Sequence, residues 1–294
     1  MPDHVLGRPA SGWRRAVYAA TGGAVNPGIG PAERRRHELA QRIRRRLARP
    51  RRIAVVSLKG GVGVSTVTAV LGLTFGELRD DRVVALDASP DAGTLADRLT
   101  GTCDSTVRNL LDEIDGIGSL SDVARFTTLA GRLHVLASEQ DAGLSEEFTQ
   151  AEYEQVCAVL ARCYGLVLVD AGTGIVHSSM AGALAKADSI VIVGSPTVDG
   201  VSRASKTLDW LAARGHEERA AGAVVALCAG RSSEEVDPQR LREYFASRCR
   251  AVVEIPYDPH LATGGRVELA AQASATSDAF LELAALLADE FEEG

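Results

Sequence analysis

Lysine is almost missing from this 294-residue chain: Lys59, Lys186 and Lys206 stand against 29 arginines. Aromatic residues are scarce as well, 4% of a composition that is 46% hydrophobic, so the core is expected to be built from Ala, Val and Leu. The five cysteines, Cys103, Cys157, Cys163, Cys228 and Cys249, are odd in number and show no C-x-x-C spacing. They read as reduced and structural, which makes the cytoplasm the expected location. No apolar run approaches the roughly 18 residues of a spanning helix, and the first 30 residues hold no apolar signal-peptide core.

What the chain has instead is a lopsided charge. The net charge of −7 conceals an N-terminal stretch, residues 1–52, with 13 arginines against only Asp3, Glu33 and Glu38. The remainder is strongly acidic. A basic arm on an acidic body calls for an anionic partner, such as a membrane surface, nucleic acid or an acidic protein, or else for docking onto its own body. Within the arm, Pro31 opens a helix that runs towards Pro50, with Leu39, Ile43 and Leu47 as a narrow apolar stripe among arginines. The expected organisation is therefore a basic arm over 1–50 and one large domain over 51–294.

That domain starts with a strand, glycine loop and helix. The β-branched run Ile53-Ala54-Val55-Val56-Ser57 leads into Leu58-Lys59-Gly60-Gly61-Val62-Gly63-Val64-Ser65-Thr66, and then into a helix marked by Val67, Val70, Leu71, Phe75 and Leu78. Glycines let backbone N–H groups turn inward around an anion, and the helix N-terminus adds its partial positive charge. A hydroxyl at Ser65 or Thr66 falls where such loops hold Mg²⁺. Further apolar runs follow, Val83–Leu86 closed by Asp87, Leu133–Ala137, Leu166–Val169 closed by Asp170, Ser189–Gly194, Ala223–Cys228 and Val252–Ile255. Strands that are apolar throughout and alternate with helices predict an α/β fold, a doubly wound and mostly parallel sheet covered on both faces. Residues 95–131 read only as helix and loop.

The glycine loop resembles the deviant Walker loop of the ParA/MinD ATPase family, Lys-Gly-Gly-x-Gly-Lys-Thr/Ser. The early lysine is present as Lys59; the later one is replaced by Val64. The resemblance implies a nucleotide site formed by Lys59 through Thr66 together with Pro256 and Asp258 of a Pro-x-Asp segment beside the base. It implies Lys59, Asp87 and Asp91 as catalytic residues, and Ser65, Asp87 and Asp170 around Mg²⁺. It also implies ATP and Mg²⁺ as cofactors and a nucleotide-dependent homodimer in which Lys59 reaches the partner's phosphates. Three departures accompany it: Val64 for lysine, Ser89 for the second switch I aspartate, with Asp91 two residues on as a substitute, and Cys228 where the family commonly places an asparagine that reads adenine. The acidic end of the chain is also unlike the cationic membrane anchor of MinD.

More narrowly, the basic arm, Ser57–Gly63, Gly172-Thr173-Gly174, Ser195–Gly200 and Ile255–His260 are similar to actinobacterial MinD-like proteins linked to type VII secretion. That similarity implies a secretion-apparatus protein as partner and a peripheral place at the membrane. Three functions follow as expectations: an ATP-binding switch or partner-positioning factor with little hydrolysis, a slow ATPase, and a scaffold that has lost nucleotide.

Overall fold

The computed structural model describes residues 12–89, 93–138, 148–173, 178–231 and 236–292. Two helices, α1 (Gly12–Ala20) and α2 (Pro31–Ile43), precede β1 (Arg51–Ser57), α3 (Val64–Leu78) and β2 (Val83–Asp87). Next come α4 (Leu95–Leu99), α5 (Val107–Asp112), α6 (Leu120–Ala124), β3 (Thr128–Ala130), β4 (Leu133–Leu136), α7 (Gln150–Cys163), β5 (Leu166–Thr173) and α8 (Ser178–Lys186). The last third holds β6 (Ser189–Gly194), α9 (Val198–Ala213), α10 (Glu217–Gly222), β7 (Val224–Cys228), α11 (Pro238–Phe245), β8 (Ala251–Ile255), α12 (Pro259–Ala262) and α13 (Ser274–Ala288).

One eight-stranded sheet runs β3-β4-β2-β5-β1-β6-β7-β8 and is parallel except for the β3–β4 pair. Its inner strands are buried on both faces, and period-two alternation divides them between two cores. Ile53 and Val55 of β1 face a layer built with α2, α3 and α13, whereas Ala54 and Val56 face the layer of α7, α8, α9 and α11. β1 lies between β5 and β6, with Val55 paired to both Asp170 and Val191. The ends of β1, β2 and β5 therefore meet on one edge of the molecule, where ligands bind in open parallel sheets.

Several expectations need correction. The helix that opens at Pro31 stops at Ile43 rather than reaching Pro50. Arg79 donates to the Ile43 carbonyl, so a guanidinium group satisfies a carbonyl where further helix would have done so, and Arg44 in turn donates to the Leu78 carbonyl at the end of α3 at 3.0 Å. β3 is an antiparallel edge strand of three residues inside the stretch read as helix and loop, too short to carry a pattern. α7 starts at Gln150, where Thr149 and Glu152 form a capping box.

The arginine-rich helix α2 is docked on its own chain. Leu39 and Ile43 are buried in the α3/α13 core. Around them Arg35 pairs with Glu282 at 2.7 Å, Arg36 with Asp278, and Arg42 and Arg45 with Asp289 at 2.6 and 3.0 Å. Of the two expectations for the basic segment, docking onto the acidic body is the one seen for α2.

Candidate nucleotide and cation site

The loop after β1 turns on two glycines with positive φ, Gly61 at 75° and Gly63 at 102°. Only glycine takes that backbone without strain. Gly63 is the N-cap of α3 and offers no side chain to the first-turn N–H groups. Those donors have no intrahelical partner either, so a fifteen-residue helix presents an uncapped N-terminus at the end of the central strand. Val64, the first residue of that helix, is 5% exposed and packs into the α3 core together with the half-buried Val62. The position that carries the second lysine in the resembling family is here an apolar anchor.

Lys59 is half exposed and its Nζ lies 3.0 Å from Asp199 Oδ2 in the first turn of α9. Arg203, one turn on, pairs with the same carboxylate at 3.1 Å. Hydrogen bonding to Arg203 and then to Lys59 holds the Asp199 carboxyl below the usual carboxylate range. Lys59 is thus ion-paired within its own chain.

Beside the loop, two fully buried carboxylates face each other on neighbouring strands. Asp87 ends β2 and pairs in register with Asp170 of β5. Asp87 accepts from the Ser89 N–H at 3.1 Å through Oδ1 and from the Leu95 N–H at 3.2 Å through Oδ2. Asp170 Oδ1 accepts from the Gly172 N–H at 3.1 Å, while Oδ2 is buried with no hydrogen-bond partner among the described residues. Burial pushes Asp87 up, against the hydrogen bonds from Ser89 and Leu95. Burial and then the charge of Asp87 push Asp170 up to about 7, although the Ser65 side chain favours its ionised form.

Two adjacent carboxylates with an orphaned oxygen are costly unless a proton or a cation joins them. The hydroxyls of Ser65 and Thr94, 3.0 Å apart, complete a set of hard oxygen donors, and Mg²⁺ is bound by one or two carboxylates together with waters and phosphate oxygens. The residues fit a divalent cation held between the loop and the ends of β2 and β5.

Two glycine-bearing segments press against this site. At Gly93 an added Cβ would stand 2.1 Å from Asp87 Oδ2 and 2.2 Å from Ser138 Oγ, so no side chain fits there. Gly172, at φ 69°, lies against Ser89, where a Cβ would meet Ser89 Oγ at 3.0 Å. Pro90, Asp91 and Gly174, and with them the expectation that Asp91 replaces the missing switch aspartate, lie outside the described residues.

On the far side, Cys228 ends β7 next to the loop: a Cβ at Gly63 would lie 4.0 Å from its Sγ. Burial pushes this thiol up to about 12, which makes it an inert, neutral group. Pro256 is exposed at the end of β8. Asp258 is not free for a base. It is buried and caps α12 by accepting from the His260 and Leu261 N–H groups at 2.9 and 3.2 Å, and it accepts from the Ala273 N–H at 2.9 Å. Burial opposes its charge, yet the Ala273, Thr276, Leu261 and His260 donors keep its carboxyl below the usual range. Asp258 fixes the shape of the loop between β8 and α13.

Sequence reasoning brought Lys59, Ser65, Asp87 and Asp170 to one edge, and the structure places them there. It passed over Gly93, Thr94, Ser138 and Asp199. Gly93 and Thr94 close the run that begins at Asp87, a signal available in the sequence; Ser138 and Asp199 come from distant segments that only the topology brings near.

No family model matches the chain. Over 285 residues it is 35% identical to the ESX-1 secretion-associated protein EspI of Mycobacterium tuberculosis, a match that covers 96% of this chain and 42% of EspI. The chain thus spans less than half the length of that relative. It is 26% identical over 159 residues to the septum site-determining protein MinD of Thermotoga maritima, 54% of this chain and 57% of that one. Among solved structures, the ParA family ATPase of Chlorobium tepidum superposes with a TM-score of 0.67 at 20% identity, over 80% of this chain and 98% of that one. MinD of Pyrococcus horikoshii complexed with Mg-ADP gives 0.63 at 23% identity, over 80% of this chain and 94% of that one. The chain has the fold of the MinD and ParA-family proteins, and over nearly its whole length it is similar to part of the secretion-associated EspI proteins.

Proposed function

We propose that the chain is an ATP-binding switch or partner-positioning factor with weak or absent hydrolysis. One observation carries this reading: the uncapped N-terminus of α3 stands beside the buried Asp87–Asp170 pair, whose orphaned oxygen is open to a cation. When bound, Mg²⁺ would neutralise phosphate charge at this edge. The chain's own contribution is to supply backbone donors from Gly60 to Thr66, to hold Ser65, Asp87 and Asp170 around the cation, and to set Gly93 and Gly172 against them.

Weak turnover follows from what is missing. Val64 brings no charge to the phosphates, a loss of about 1.5–3 kcal/mol of charge-assisted contact. Ser89 is short and neutral where a carboxylate would orient water. The Lys59–Asp199 pair is half exposed, and a second copy bearing nucleotide phosphates would compete for Lys59. Dimerisation on nucleotide is therefore part of the proposal, as is a partner in a secretion apparatus, which rests on the similarity to EspI.

Among the described residues no helix is long and apolar enough to cross a membrane. Peripheral membrane association through basic side chains that α13 does not already neutralise is part of the proposal.

Calorimetric titration with ATP and Mg²⁺, followed by a phosphate-release assay, tests the reading. It expects binding with slow or no release. Fast release would make the chain an ATPase in its own right, and no binding would leave a scaffold.

A further inference from the structure

Thr94 occupies the N-cap position of α4, where a threonine ordinarily turns its hydroxyl onto the first-turn N–H groups. It does not do so here: no side-chain cap is formed, and the hydroxyl is turned to Ser65 Oγ at 3.0 Å. Its neighbours explain why it stays there. The Gly93 N–H donates to Ser138 Oγ at 3.1 Å, and the Leu95 N–H donates to Asp87 Oδ2 at 3.2 Å. Anchored on both sides, the Thr94 backbone cannot move away from Ser65 without breaking a buried contact.

We infer that Thr94 is a second hydroxyl of the cation shell, tying Gly93–Leu95 to the phosphate loop through the metal. The inference deepens the nucleotide-switch reading and rests on it. Two observations carry it independently of each other. One is the diversion of the Thr94 hydroxyl from capping to Ser65. The other is the unpartnered, fully buried Asp170 Oδ2. A small hard cation takes oxygen ligands at close quarters, and Ser65, Thr94, Asp87 and Asp170 present four oxygen-bearing side chains at this edge. With Val64 in place of a lysine, the cation is the main positive charge left to face the phosphates. A switch segment that contributes to its shell senses whether nucleotide and metal are both present.

Thr94 is exposed, so replacing it leaves the core intact. The test titrates the full chain with a fluorescent ATP analogue in EDTA and at rising free Mg²⁺, for wild type, Thr94→Val and Thr94→Ser. The readout is the Mg²⁺ concentration that half-maximally tightens the nucleotide. Loss of a shell or outer-shell group costs about 10–100-fold in metal affinity, so Thr94→Val should need about tenfold or more Mg²⁺, while Thr94→Ser, which keeps the hydroxyl, should stay close to wild type.

A bond that only clips α4 to α3 would move overall stability and leave this midpoint unchanged. An unchanged midpoint in Thr94→Val, with Mg²⁺ still tightening the wild type, overturns the inference and spares the nucleotide reading. A wild type that binds no nucleotide at any Mg²⁺ level removes that reading and the inference with it. Thr94→Ala takes the place of Thr94→Val should the valine variant misfold.

Discussion

Replacing Asp170 with asparagine should stabilise the protein at high pH when no divalent cation is supplied. The carboxyl of Asp170 is raised from an ordinary value of 3.8 to about 7 by burial and by the neighbouring Asp87. A carboxyl raised in the folded state favours folding while it is protonated, and that contribution is lost as pH rises through the folded value. Three units at about 1.4 kcal/mol each set an upper bound of about 4 kcal/mol on the cost of ionising Asp170.

At pH 5 most of that cost is avoided, because the folded carboxyl still holds its proton; at pH 8 it is paid in full. The advantage of Asp170→Asn over wild type should therefore grow by about 2–3 kcal/mol between pH 5 and pH 8, an increase of roughly 5–10 °C in relative melting temperature for a chain of this size. Because titrating groups away from the site are common to both proteins, the difference reports on the Asp87–Asp170 pair. Thermal unfolding followed by circular dichroism in EDTA measures it. With Mg²⁺ and ATP added the order should reverse, since the wild type gains a cation and the variant does not. A difference that is flat with pH, or a variant less stable than wild type at pH 8 in EDTA, refutes the reasoning.

Lys59→Ala should weaken ATP-dependent dimerisation more than ATP binding by the monomer, which sedimentation velocity combined with titration resolves; equal effects would place Lys59 at its own chain's phosphates alone. Val64→Lys should tighten ATP by roughly one to two decades while lowering stability by about 1.5–3 kcal/mol, because the residue it replaces is 5% exposed in the core; affinity and melting temperature measured on the same sample check both. In α2, Ile43→Ala should cost about 2–5 kcal/mol and Arg42→Ala at most about 1 kcal/mol, since Ile43 is fully buried whereas the Arg42–Asp289 pair is one-third exposed; denaturant unfolding at low and high salt would show whether apolar contact or charge holds the arm.

The sheet was legible because its strands are buried on both faces and so read as unbroken apolar runs, and because Asp87 and Asp170 mark where two of them end. The glycine loop was legible because Gly61 and Gly63 need a backbone that other residues avoid. β3 escaped because three residues, one of them the exposed Leu129, carry no period. The end of α2 escaped because the Arg79 guanidinium that satisfies the Ile43 carbonyl comes from 36 residues away. At the site, the sequence could supply residue types but not their partners. Asp258 looked available for a ligand, yet its carboxylate is spent on three backbone N–H groups. Lys59 looked directed outward, yet it pairs with Asp199 140 residues on. Burial of Val64 distinguishes a lost lysine from an apolar anchor, and no spacing rule reports burial.

The central claim is that this edge of the sheet binds a nucleotide together with a divalent cation. Calorimetric titration of the full chain with ATP, in Mg²⁺ and in EDTA, against wild type and Asp170→Asn, tests it most directly. Wild type should bind markedly more tightly with Mg²⁺, and the variant should lose that Mg²⁺ dependence. Heat of binding that is absent at millimolar ATP, or identical in Mg²⁺ and EDTA for both proteins, would contradict it.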